Sequence, residues 1–193
     1  MRRFGKALGR LIVVIFALLA GIWAFAPEEP VDREISFDSN ALTDDLSEFL
    51  AQRELQFSDI RPEAAKRIVW AGAAGQKTPL AVIYVHGFSA SAEEIRPVPD
   101  EVAKALGANL FFTRLAGHGR TGAAMAQASA EDWLFDMAEA MAIGRRLGER
   151  VIVIGTSTGG TLAALAATDP QLNEGLAGTV LISPNFGIHA PAQ

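Results

Sequence analysis

The sequence predicts an α/β domain, a mostly parallel sheet with helices on both faces, preceded by a separate N-terminal membrane helix. Three observations carry this reading. Leu80-Ala81-Val82-Ile83-Tyr84-Val85 is a continuous β-rich apolar run, the kind a parallel sheet buries on both faces. Shorter runs recur at 110–113, 151–154 and 179–182, with helical patterns between them, which is the alternation of βαβ units. Finally, the sixteen residues from Leu11 to Ala26 contain no charge.

The N-terminal run sits between Arg2, Arg3, Lys6 and Arg10 on one side and Pro27-Glu28-Glu29-Pro30 on the other. As a helix, sixteen residues reach about 24 Å at 1.5 Å per residue, against a hydrocarbon core of about 30 Å. Ala7, Leu8 and a snorkelling Arg10 make up the difference, so the membrane contact is read as residues 7–26. Basic before and acidic after puts the N-terminus in the cytoplasm and the remainder across the inner membrane, in the cell envelope. Ala24-Phe25-Ala26 also has the small-x-small form of a cleavage site. Residues 1–26 are therefore a signal anchor or a signal peptide, and cleavage after Ala26 would leave a periplasmic or secreted protein. A buried first helix of the soluble domain is a third option.

Residues 27–40 are polar and proline-bearing, a tether, and the domain occupies 41–193. Thr43-Asp44-Asp45 reads as a helix start, the helix running to about Leu55. Arg67-Ile68-Val69-Trp70 is a short strand and Leu80–Val85 the central one. A helix over Val98–Leu106 tolerates Pro97 and Pro99 at its beginning. Leu110-Phe111-Phe112-Thr113 is the next strand, and the Gly/Ala-rich stretch 116–129 reads as loop. Ala130–Leu147 is amphipathic, with Trp133, Leu134, Met137, Met141 and Leu147 close to one stripe. Val151–Ile154 is a strand, Gly160–Thr168 a small-residue helix, and Thr179–Ile182 a last strand.

Charge and composition exclude several function classes. All 22 acidic residues but only 13 of the 17 basic ones lie from Glu28 onward. A domain that acidic is unsuited to nucleic acid, which selects clustered Lys and Arg. With no cysteine there is no disulfide, thiol nucleophile, iron–sulfur cluster or Cys-ligated zinc, and no metal or cofactor is expected.

The chemistry lies in Gly155-Thr156-Ser157-Thr158-Gly159, a G-x-S-x-G sequence preceded by four β-branched residues and followed by Gly160 and small alanines. This is the strand–turn–helix setting of a nucleophile elbow. A tight turn there strains the serine backbone and demands small neighbours, while the helix N-terminus favours developing negative charge. The competing reading is a Gly/Ser turn in which Ser157 merely caps the helix. Independently, the strand 80–85 runs into His86-Gly87-Phe88-Ser89. In an elbow setting that loop supplies a backbone N–H to an oxyanion hole, so Phe88 N–H and Thr158 N–H are the expected donors. His86 and Gly87 shape this pocket loop, with His86 a hydrogen-bonded loop residue and not the base.

At these residues the chain resembles the α/β-hydrolase family, in its branch of serine esterases, monoacylglycerol lipases and S33 peptidases. The resemblance rests on VIYVHGFSAS at 82–91, RLAGHGRTG at 114–122, Asp132-Trp133, VIVIGTSTGG at 151–160 and VLISP at 180–184. Ala116 stands where the family usually has proline. The resemblance implies that Gly117-His118-Gly119 lines the pocket mouth, His118 holding no ligand.

It also implies an acid and a histidine from loops after two further strands. Downstream of Ser157 only Asp169, Glu174 and His189 have side chains of that kind. Asp169 falls about 15 Å down the helix leaving the elbow, at the wrong end of the sheet, and nothing near His189 orients it. No triad acid or histidine is identified. The resemblance thus implies a hydrolase cut off where its cap begins, these 193 residues being inactive by themselves. The expected activity is cleavage of carboxylic esters of small acyl or lipid-like substrates through an acyl-Ser157 intermediate. A catalytically silent, membrane-anchored binding domain of the same fold and a peptidase or amidase are the alternatives.

Overall fold

The computed structural model describes residues 2–25 and 37–187, and the chain divides into two compact units, Met1–Val31 and Asp32–Gln193. In the first, helix α1 spans Arg2–Phe25. Its 24 residues reach about 36 Å, because the helix takes in the basic residues and Ala7 and Leu8 ahead of the uncharged run. The stretch Leu8–Phe25 has a mean hydropathy of 2.3, long and apolar enough to cross a membrane. The tether expected at 27–40 lies largely outside the described residues.

In the second unit α2 (Leu46–Glu54) begins later than Thr43 because Asp45 is the cap, accepting the Glu48 N–H at 3.0 Å. Thr43 instead donates its hydroxyl to the Asp45 carbonyl. Then follow β1 (Arg67–Val69), β2 (Thr78–Val85), α3 (Val98–Leu106) and β3 (Asn109–Phe112). The stretch expected to be all loop contains a one-turn helix, α4 (Gly122–Met125), made possible by the Thr121 hydroxyl accepting from the Ala124 N–H. α5 (Ala130–Leu147) starts from a reciprocal Ser129–Asp132 capping box. β4 (Gly148–Thr156), α6 (Thr158–Thr168) and β5 (Leu176–Ile182) complete the domain.

The five strands lie in the order β1-β3-β2-β4-β5, all parallel except β1, which pairs antiparallel with β3. Ile83 sits beside Phe111 on one side and Val153 on the other. Alternation then sorts the side chains. Ala81, Ile83, Val85, Phe111, Val151 and Val153 pack under α2, α5 and α6, whereas Val82, Tyr84, Leu110, Phe112 and Ile154 pack under α3. Both faces of β2 are thereby covered, and residues 81–85 are fully buried.

The chain leaves β2 toward β3 by way of α3 and returns to β4, on the other side of β2, by way of α5. The connections therefore diverge at the carboxyl ends of β2 and β4, the crevice where open α/β sheets place their ligands.

Candidate active site

Ser157 is the single residue between β4 and α6, with φ 49° and ψ −113°. One residue suffices to turn strand into helix because of that strained conformation, which is why β4 runs to Thr156 and α6 starts at Thr158, two residues earlier than the sequence pattern indicates. The strain is held by neighbours without side chains. A Cβ on Gly159 would lie 2.1 Å from the Val85 carbonyl oxygen and 2.6 Å from that of His86, so the first turn of α6 rests on the end of β2. The Ser157 N–H donates to Ile182 O at 2.8 Å, tying the turn to β5. Its side chain makes no capping bond to α6, contrary to the simple capping role. Thr158 N–H is the first of the helix N–H groups that have no intrahelical acceptor.

The loop after β2 meets the elbow directly. A Cβ on Gly87 would lie 3.3 Å from Ser157 Cβ, 3.4 Å from Thr156 O and 2.9 Å from a carboxylate oxygen of Glu94. Phe88 follows, its half-exposed ring set edge-on against His118 (5.9 Å) and Trp133 (6.0 Å). Neither Phe88 N–H nor Thr158 N–H donates to a loop or turn carbonyl among the described residues.

His86 and His118 are both fully buried, their rings 4.8 Å apart. Each joins the loop after β2 to the loop after β3. Leu115 N–H donates to His86 Nε2 at 3.1 Å, and Ser89 N–H donates to His118 Nε2 at 3.1 Å. An Nε2 that accepts carries no proton, so Nδ1 is the protonated nitrogen in both rings. His86 Nδ1–H then donates to Gly87 O at 2.9 Å, and His118 Nδ1–H to Ala116 O at 3.0 Å. Burial lowers the His86 pKa to about 4, and burial likewise lowers that of His118, consistent with two neutral rings. His118 is thus packed beneath the loops and does not open on the pocket mouth, because its nitrogens are consumed in holding Ser89 and Ala116. Ser89 itself is held at φ 60°.

The loop after β3 is braced from below. Ala116 N–H donates to Asp136 (2.6 Å), Trp133 Nε1–H donates to Ala116 O (3.1 Å), and Arg114 makes a two-pronged bond to Glu54 (2.9 and 2.7 Å). Lys66 bridges Asp136 and Glu139 in the same buried network. A polar cavity of about 330 Å³ opens there, lined by Arg53, Lys66, Arg114, Arg120, Asp132 and Asp136 among others, and includes neither Ser157 nor Phe88.

The structure brings Ser157, Thr158, Gly87 and Phe88 together and sets His86 and His118 behind them. Asp169 caps the far end of α6, accepting from Gln171 and Leu172 N–H, and His189 lies outside the described residues. A polar group that sequence reasoning missed stands beside the serine: Glu94, Tyr84 and Thr156. Glu94 belongs to a Glu93-Glu94 pair that reads as a solvated turn, and Tyr84 to an apolar strand. The one available signal was that Tyr84 is the chain's single tyrosine, a buried hydroxyl requiring a partner. Among the described residues no group of three or more His, Asp or Glu could hold a metal ion.

Comparison with known proteins gives concordant matches. The family model described as serine aminopeptidase, S33, matches residues 76–193. A thermostable monoacylglycerol lipase of Bacillus sp. (strain H-257) is 33% identical over 89 residues, 46% of this chain and 35% of that lipase. A solved structure of the metagenome-derived lipolytic enzymes LipS and LipT aligns at 30% identity and TM-score 0.59, covering 68% of this chain and 50% of that one. Est1E from Butyrivibrio proteoclasticus, solved with ferulic acid, aligns at 21% identity and TM-score 0.51 over 62% of this chain and 48% of its own, and shares the fold. The chain therefore spans half or less of the length of these relatives.

Proposed function

Because the chain belongs to the serine aminopeptidase S33 family of α/β-hydrolases, we propose that it is a serine hydrolase acting on carboxylic esters of small acyl or lipid-like substrates through an acyl-Ser157 intermediate. The observation that carries this reading is the strained backbone of Ser157 at the strand–helix junction, its side chain free of any capping bond. Ser157 Oγ attacks the ester carbonyl carbon and gives its proton to a base. The tetrahedral oxyanion is held by Phe88 and Thr158 N–H. The carbonyl then re-forms, the alkoxy group leaves with the proton as an alcohol, and water releases the acid in a second round.

The base is neither His86 nor His118, because both nitrogens of each ring are hydrogen-bonded to backbone. The lipolytic relatives support the ester reading, and the aminopeptidase description of the family favours amide substrates as the second reading. Helix α1 is read as the membrane anchor that holds the hydrolase on the outer side of the inner membrane.

The deciding experiment is labelling with a fluorophosphonate, paired with hydrolysis of p-nitrophenyl esters and aminoacyl p-nitroanilides. In protein that includes the triad base, wild type labels on Ser157 and Ser157→Ala does not, with kcat falling on the order of 10⁶-fold. Undiminished ester hydrolysis by Ser157→Ala would sink the assignment, and turnover of the anilides alone would select the amide reading.

A further inference from the structure

We propose that Glu94 is a positioning residue that sets the spacing between the two halves of the oxyanion hole, an inference that rests on the assignment of Ser157, Phe88 and Thr158 above. The two N–H donors come from different segments, Phe88 from the loop after β2 and Thr158 from the start of α6. Pairing of β2 with β4 fixes the two segments against each other only as far as Val85 and Gly155. Beyond that register a continuous polar chain takes over. Gly87 N–H donates to Glu94 Oε2 at 2.8 Å, and the Tyr84 hydroxyl donates to the same oxygen at 2.8 Å. Since the Tyr84 proton is spent on the carboxylate, the Thr156 hydroxyl, 3.2 Å away, donates to the Tyr84 oxygen. The chain Thr156–Tyr84–Glu94–Gly87 therefore links the residue before the nucleophile to the residue before Phe88.

The placement accounts for three otherwise separate facts. Tyr84 is fully buried in the face under α3, yet its hydroxyl is satisfied, and burial together with the carboxylate holds its proton firmly. Glycine is required at 87 because a side chain would meet both Glu94 and Ser157. The carboxylate also orients the peptide plane on one side of Gly87 while His86 Nδ1–H takes Gly87 O on the other. With both peptide groups of Gly87 held, the adjoining Phe88 N–H has one direction left to point.

A group acting through donor geometry changes the transition state more than substrate binding. Glu94→Gln keeps an oxygen that can accept from both Gly87 and Tyr84, whereas Glu94→Ala keeps neither. In the full chain we expect Glu94→Ala to lower kcat at least tenfold, toward the roughly 10²–10³-fold cost of losing one oxyanion donor, with KM unchanged. Glu94→Gln should stay within about threefold of wild type, since a hydrogen-bond acceptor and not a charge is required. Affinity for an alkyl boronate, whose tetrahedral adduct occupies the oxyanion hole, should fall in parallel with kcat. Independently of turnover, the Gly87 amide proton in NMR spectra should lie far downfield in wild type and move upfield in Glu94→Ala, the Phe88 amide moving with it.

The outcomes separate the two layers of the argument. A wild type that includes the triad base and whose Ser157 neither labels nor turns over ester overturns the nucleophile assignment and this proposal with it. A wild type that labels at Ser157, beside a Glu94→Ala variant with unaltered kcat, boronate affinity and Phe88 amide, overturns this proposal alone. A loss confined to the unfolding midpoint, with unchanged kcat in the folded fraction, gives Glu94 a purely structural role and likewise overturns it.

Discussion

Lowering the pH should loosen the two loops through His86, and the size of the effect follows from its surroundings. Folded His86 is neutral, and burial lowers its pKa to about 4, whereas in the unfolded chain it titrates near 6.5. A depressed pKa contributes stability that is present above the unfolded value and lost as pH falls toward the folded one. Linkage between pKa values of about 6.5 and about 4 removes about 2 kcal/mol by pH 5 and about 3 kcal/mol by pH 4. The structural event is specific, because a protonated Nε2 cannot accept from Leu115 N–H. The assay is chemical unfolding of full-length protein in detergent at pH 7.5 and pH 5, wild type against His86→Gln. The variant costs about 1–3 kcal/mol at pH 7.5 because Gly87 O loses the Nδ1–H donor, and the gap to wild type narrows by about 2 kcal/mol at pH 5. A gap that is constant between the two pH values would refute the reasoning, as would an NMR titration of the His86 ring with a midpoint near 6.5.

Three further outcomes are expected. Gly159→Ala should destabilise by about 3 kcal/mol, since its Cβ would meet the backbone carbonyls of Val85, at the end of β2, and of His86 just after it; a thermal shift of under a degree would contradict the close approach. Arg114→Ala should cost about 3–5 kcal/mol by stranding the largely buried Glu54 carboxylate, and Glu54→Gln combined with it should restore much of the loss in a double-mutant cycle. Full-length protein should stay in the membrane pellet after carbonate extraction, while a variant lacking residues 1–26 is released; a soluble full-length chain would contradict the membrane reading of α1.

The sequence by itself determined the order and type of the elements from Arg67 onward, the one-turn α4 excepted, because β-branched apolar runs and helical stripes separate cleanly along this chain. It also singled out the strained turn at Ser157: a glycine-flanked serine between such a run and a small-residue helix has few other backbone solutions. What it could not determine was everything set by contacts between distant segments. β1 joins β3 antiparallel at an edge, which no local pattern encodes. Ser157 moved the start of α6 forward because its strained φ, affordable only with β2 packed on Gly159, shortens the turn to one residue. Sequence reading makes His86 a hydrogen-bonded loop residue and His118 a residue of the pocket mouth, without the partners of either ring. Only the crossing of two loops, with Leu115 and Ser89 offering N–H groups to buried rings, makes them neutral staples. Glu94 was illegible for the same reason: an acidic turn residue acquires a role only when Gly87, Tyr84 and Thr156, brought in by two different strands, converge on it.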